Sequence, residues 1–192
     1  IPKEIEFQTV RDLIISQFSP IARQKDVQFS VELEAGLPDS FYTDEQRLQQ
    51  VLKNLLSNAF KFTESGSVSL VINKVVKEGN GKHLFEEDNQ VKPMLAFSVI
   101  DTGIGIDNEK QETIFDAFKQ ADGTTSRQYG GTGLGLSISR EYAQLLGGFI
   151  EVKSKKGTGS TFTLYLPHFE QSSKIEEEVT IKEAAVGLEI EN

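Results

Sequence analysis

The sequence predicts an α+β two-layer sandwich. Three observations carry that expectation. Apolar residues recur at three- and four-residue spacing in several segments, which is the period of a helix buried on one side. In other segments they alternate with polar residues, which is the period of a half-buried strand. Alternating segments also follow one another across turns, so they pair as hairpins among the helices.

Taken in order, residues 4 to 24 read as an amphipathic helix whose stripe is Phe7, Val10, Leu13, Ile14, Phe18 and Ile21, with a kink expected at Pro20. Val27, Phe29, Val31 and Leu33 alternate into a strand, and Phe41-Tyr42 forms a short second one after a turn at 36–38. Thr43 with Gln46 resembles a capping box, and Asp44 is an alternative cap. The helix that follows runs to about Phe62 on a stripe of Leu48, Val51, Leu52, Leu55, Leu56, Ala59 and Phe62. Gly66 ends it. Val68, Leu70 and Ile72 then alternate into a strand, which a long polar connection over 77–93 joins to a strand at 94–100. Asp107 or Asn108 caps a short helix through Phe118. A glycine-rich stretch at 120–133 is expected to be mobile, and a helix with Leu134, Ile138, Tyr142, Leu145 and Leu146 on one side follows it. Gly147-Gly148 stops that helix, and 149–154 pairs with 160–166 as a final hairpin closed by Pro167. Residues 168–192 read as an acidic linker or tail beyond a domain at 1–167.

Composition narrows function. The 192 residues include no Cys, which removes disulfides, thiolate metal sites and cysteine nucleophiles. A net charge of −9 argues against sequence-independent nucleic-acid binding, which needs a cationic surface. Apolar runs are too short to span a bilayer. Beginning at Ile1 without an initiator Met, the chain reads as a fragment of a longer protein.

Two glycine-rich segments demand explanation: Asp101-Thr-Gly103-Ile-Gly105-Ile106 and Gly130-Gly131-Thr132-Gly133-Leu134-Gly135-Leu136. Neither fits G-x-G-x-x-G, and no P-loop pattern occurs, so both of those nucleotide motifs fail. Taken singly, either segment is equally well a tight turn. The second leads straight into a helix, whose exposed N–H groups and dipole form an anion site. Asn54, Asn58 and Lys61 stand at i, i+4 and i+7 on one helix face. Asn is a poor residue for a helix interior, and a lone one is more often a satisfied buried amide than a ligand. Two at this spacing suit Mg²⁺, a hard ion that takes neutral oxygens and substrate phosphates; Lys61 adds a point cation.

In this order these pieces resemble the catalytic ATP-binding domain of sensor histidine kinases, in the gyrase/Hsp90/histidine kinase/MutL superfamily. The segment from Asn54 to Phe62 resembles the N box, Asp101 to Ile106 the G1 box, Ile114 to Phe118 the F box and Gly131 to Leu136 the G2 box, while Gly159-Ser-Thr161-Phe is similar to the closing G-S-T-F pattern. The stretch 120–131 is closest to hybrid kinases, which carry receiver domains. The resemblance spans about residues 4–167 and implies a Bergerat-type fold: a mixed sheet of about five strands covered by three helices, with ATP between the layers under a mobile lid.

By position, the resemblance implies that Asp101 binds the adenine amino group and that Asn58 and Asn54 hold Mg²⁺. Phe62 would pack near the base, with Thr161 on the adenine side. Lys61 and Arg127 would approach the phosphates as catalytic groups together with Asn58. Gly103, Gly105, Ile106, Gly131, Thr132, Gly133, Leu134, Gly135 and Leu136 would line the cofactor. It also implies partners: a helical hairpin bearing the phosphoacceptor His, which this chain lacks, and a response regulator receiver domain. No nucleic acid, no direct membrane contact, a monomeric fragment and a cytoplasmic setting complete the expectation. Neither His83 nor His168 suits the acceptor role.

Independently of the name, a carboxylate at Asp101 accepts from the exocyclic amine of adenine, whereas guanine would present an opposing carbonyl oxygen. Hydrolytic members of the superfamily resemble one another in placing a Glu base where this chain has Asn54, and an amide cannot act as that base. The expected reaction is therefore phosphoryl transfer. The rivals are a serine/threonine kinase of the same superfamily and a nucleotide-responsive module without transfer. For Phe115 and Phe118, lid support or hairpin docking stands beside plain core packing.

Overall fold

A computed structural model describes residues 1–77, 92–111, 113–116 and 134–168. The expected lid with Arg127, Gly131, Thr132 and Gly133, the helix end at Phe118, the connection bearing His83 and the tail beyond His168 lie outside the described residues.

The order is β1 (Lys3–Glu6), α1 (Phe7–Lys25), β2 (Gln28–Leu33), β3 (Ser40–Thr43), α2 (Glu45–Phe62), β4 (Ser67–Lys77), β5 (Lys92–Asp101), α3 (Asn108–Gln111), α4 (Gly135–Leu145), β6 (Phe149–Lys155) and β7 (Gly159–Pro167). Five strands form one mixed sheet in the order β2-β4-β5-β7-β6, parallel only between β2 and β4. This is the expected α+β class.

Alternation decides which face of the sheet meets the helices. Val31, Leu70, Phe97, Leu164 and Val152 line one face and join a single core with Ile14 and Phe18 of α1, Leu52 and Leu56 of α2, and Ala143 of α4. Phe7 stacks on Phe41 with ring centroids 4.4 Å apart, and Phe18 stacks on Phe60 at 5.7 Å. Among the described residues, no helix is long and apolar enough to cross a membrane.

Several local expectations are corrected. The first helix begins at Phe7, because Lys3–Glu6 pairs as a strand with Ser40–Thr43 and buries Ile5 opposite Phe41. Leu13 and Ile21 lie at the edge of the α1 stripe, 40% and 37% exposed, while Ala22 is buried. Of the two candidate caps of α2, Asp44 takes the position and accepts from the Arg47 N–H at 3.1 Å. Phe60, rather than Phe62, completes the buried stripe. The helix starting at Asn108 lasts one turn, and Thr113–Asp116 continues as turns. Leu145 points to solvent, 65% exposed. Gly147-Gly148 does stop α4: Gly147 has φ +75, and the Gly147 and Gly148 N–H groups donate back to Gln144 and Ala143.

Candidate functional site

The site residues gather where β5 ends, along the edge of α2 and at the start of α4. Asp101 closes β5 on the helix-facing side and is 7% exposed. Its Oδ1 accepts from the Gly103 N–H at 2.8 Å. Burial pushes the Asp101 carboxyl above its usual range, and the N–H groups of Gly103 and Ser160 oppose that rise.

The loop after Asp101 is clamped on both sides. The Ile104 N–H donates to the Phe62 carbonyl at 3.3 Å, which seats the loop on the C-terminus of α2. A Cβ on Gly103 would overlap that same carbonyl and lie 2.9 Å from Asp101 Oδ1. Gly105 has φ +66, and a Cβ there would overlap the Lys155 carbonyl. The close approach that each glycine permits is thus to this chain's own backbone. Ile106 is held by an N–H bond to Ser154 Oγ at 2.8 Å, and Gln111 Nε2 donates to the Ser154 carbonyl at 2.8 Å.

Register separates the two hydroxyls of the Gly-Ser-Thr-Phe stretch. Ser160 pairs with Asp101, whereas Thr161 pairs with Ile100. Side chains alternate along a strand, so Thr161 leaves the sheet on the face opposite Asp101. Ser160, 7% exposed and 2.9 Å from Ser154 Oγ, is the neighbour of Asp101. The family pattern names the pair without saying which of two adjacent hydroxyls faces inward; counting the period from Phe162, a core residue, would have found it.

On α2, Asn54, Asn58 and Lys61 follow one another on a partly exposed edge. Asn54 Nδ2 donates to the Gly135 carbonyl and to Ser139 Oγ, both at 3.2 Å, and Gln50 Nε2 donates to its Oδ1 at 3.0 Å. No hydrogen bond joins the Asn58 side chain to another described residue. Lys61 Nζ lies 5.1 Å from the centroid of the half-buried Phe62 ring. From Asn54 to Phe62 this edge runs about 12 Å at the helical rise.

At the far end, α4 begins at Gly135 behind Leu134, without a side-chain cap. A Cβ on Gly135 would meet nothing within 4 Å among the described residues. Leu136 packs against the core instead. Phe115 also belongs to the core, meeting Phe162 edge-on at 6.3 Å.

The donor set fits a purine nucleotide with a hard cation. One end offers a buried carboxylate that no described cation pairs with. Along α2 stand the Asn58 side-chain amide, without a hydrogen bond among the described residues, and Lys61 beside the Phe62 ring, and the start of α4, without a side-chain cap, lies at the far end by Asn54. Thr63, fully buried where α2 ends, has a hydroxyl without a partner among the described residues, and such a group costs roughly 1–3 kcal/mol until something meets it.

Comparison with known proteins gives the family. Residues 43–170 match the family described as histidine kinase-, DNA gyrase B-, and HSP90-like ATPase. The chain is 38% identical over 165 residues to the autoinducer 2 sensor kinase/phosphatase LuxQ of Vibrio vulnificus strain CMCP6, covering 86% of this chain and 18% of that one. It is 40% identical over 161 residues to hybrid signal transduction histidine kinase D of Dictyostelium discoideum, covering 83% and 10%. It therefore spans less than a fifth of either relative. Full-length ShkA, crystallised in complex with AMPPNP, superposes with a TM-score of 0.70 at 29% identity over 87% of this chain and 31% of ShkA. With its boxes, its sheet order and this match, the chain belongs to the histidine kinase-, DNA gyrase B- and HSP90-like ATPase family.

Proposed function

We propose that this chain binds Mg-ATP and transfers the γ-phosphoryl group to a histidine on a separate helical hairpin, as the catalytic part of a two-component sensor kinase. The observation that carries the reading is the buried Asp101 carboxylate, fixed by the Gly103 N–H at one end of an edge whose other end is the start of α4, which has no side-chain cap. Relatives named as a sensor kinase/phosphatase and a hybrid signal transduction histidine kinase, and a neighbour crystallised with AMPPNP, support it.

In this reading Asp101 accepts the adenine amine and rejects the guanine carbonyl. Phe62 packs on the base beside it. Ser160 takes the supporting position expected of Thr161. Lys61 faces the phosphates as a cation, with Arg127 and the glycines at 131 and 133 completing the phosphate end. Asn58 offers its carbonyl oxygen to Mg²⁺; Asn54 is the second candidate ligand, although its amide is already engaged. A bound Mg²⁺ supplies neutralisation of charge on the triphosphate. Asn54 provides no general base for hydrolysis, so the phosphoryl group passes to another acceptor. The acceptor hairpin and a receiver domain are the proposed partners, and the proposed setting is the cytoplasm.

The test adds a helical hairpin bearing the phosphoacceptor His in trans, with γ-labelled ATP. Acid-labile label on that His is expected. Acid-stable label on Ser or Thr, or no label at all, contradicts the reading and favours one of the two rivals.

A further inference from the structure

The Asn54 amide joins two elements of the site, and its orientation follows from its partners. The Gly135 carbonyl can only accept, so the NH₂ end must face α4. Ser139 Oγ donates its single proton to the Gly135 carbonyl at 2.8 Å, so its oxygen accepts from Asn54. Both contacts of the Asn54 NH₂ group are therefore made to α4. Asn54 Oδ1 accepts from Gln50, leaving one lone pair.

Ser139 is 0% exposed. Ala would be the better residue there for a helix and for a core. A hydroxyl that only bonded back to its own helix would add little. Its second hydrogen bond links α4 to α2 just past the first turn of α4, a helix with no side-chain cap. Asn58 stands one turn further along α2. Asn54 thus ties the start of α4 to α2 one turn before Asn58.

We propose that Asn54 and Ser139 form an interhelix clasp, and that Ser139 is a positioning residue that holds the first turn of α4 at the phosphate end of the site. The inference rests on the nucleotide reading above. Small displacements of groups that meet phosphate are costly, because their value lies in prior alignment. The base end, at Asp101, is remote from the clasp.

The test titrates wild type, Ser139→Ala, Ser139→Thr, Asn54→Ala and the Asn54→Ala/Ser139→Ala double variant with Mg-ATP and, separately, with adenosine. The loss of one hydrogen bond predicts about a fivefold weaker affinity of Ser139→Ala for Mg-ATP, with adenosine unchanged. Ser139→Thr, which keeps the hydroxyl, regains most of that affinity. In the Asn54→Ala background, Ser139→Ala adds no further loss, because the partner is already gone. Ser139→Cys, which keeps the volume and weakens both hydrogen bonds, runs in parallel in case the Ala variant melts early. Equal losses for adenosine and Mg-ATP, no loss for either, or a full additional loss in the double variant would each overturn the clasp. Wild type that binds neither compound would overturn the nucleotide reading instead.

Discussion

The Gly103 N–H donates to Asp101 Oδ1 at 2.8 Å, two residues along the same turn. That bond aims a buried carboxylate, and it exists because Gly103 has no Cβ to meet the Phe62 carbonyl. The end of β5 and the C-terminus of α2 are thus locked through a single glycine, and the proposed base site lies between them.

Gly103→Ala should therefore damage fold and binding together. Forcing a methyl against the Phe62 carbonyl is an overpacking of roughly 1–3 kcal/mol. Urea unfolding should show that loss, and adenosine affinity should fall in parallel.

A cleaner dissection uses two glycines with positive φ. Gly105 and Gly157 have φ +66 and +78, but only Gly105 has backbone where a Cβ would go. Gly157→Ala should cost about 1–2 kcal/mol for the left-handed conformation alone. Gly105→Ala should cost clearly more, because the Lys155 carbonyl must also move. Equal midpoints in urea would contradict this.

Lys25 should matter beyond its place on the surface of α1. Its Nζ donates to the Phe60 carbonyl and, at 3.0 Å, to the Thr63 carbonyl, meeting the last carbonyls of α2. Lys25→Met should lower stability by roughly 1.5–3 kcal/mol, the range for hydrogen bonds to a charged group. Denaturant midpoints measure it directly.

Acidity should separate folding from binding at Asp101. Burial raises this carboxyl, so its contribution to stability is fully present below the unfolded pKa and is lost as pH rises through the folded one. Melting temperatures of wild type, compared with Asp101→Asn, should then decline from acid towards neutral pH. Adenosine binding should run the other way, since the ionised carboxylate is the better acceptor, and wild-type affinity should fall as the group protonates.

Much of the fold was legible because the signals were local and repeated. The α2 stripe from Leu48 to Ala59 and the alternation of Val68, Leu70 and Ile72 each repeat one period, and both are buried as read. The first strand was hidden because Lys3–Glu6 exposes three residues and buries only Ile5, against a partner, β3, more than thirty residues away. Phe60 and Phe62 flank Lys61 with similar hydrophobicity, and only packing against Phe18 and Phe29 decides which is core.

The site was legible in kind and less so in detail. The Asn pair stands out because two mid-helix amides are poor choices for structure alone, and Asp101 because it opens a glycine-rich segment that resembles the G1 box. Ser160 was passed over in favour of Thr161 because a motif does not carry the register of its strand. Ser139 gave no signal, since one Ser inside an amphipathic helix reads as solvent-facing until its neighbours on α2 are known.

The central claim is most directly tested by calorimetric titration of this chain with Mg-ATP, run in parallel on Asp101→Asn. Saturable one-site binding by wild type, lost in the variant while its melting temperature at neutral pH is retained, is the predicted result. Undiminished affinity in Asp101→Asn would contradict the account, because the purine would then be selected elsewhere.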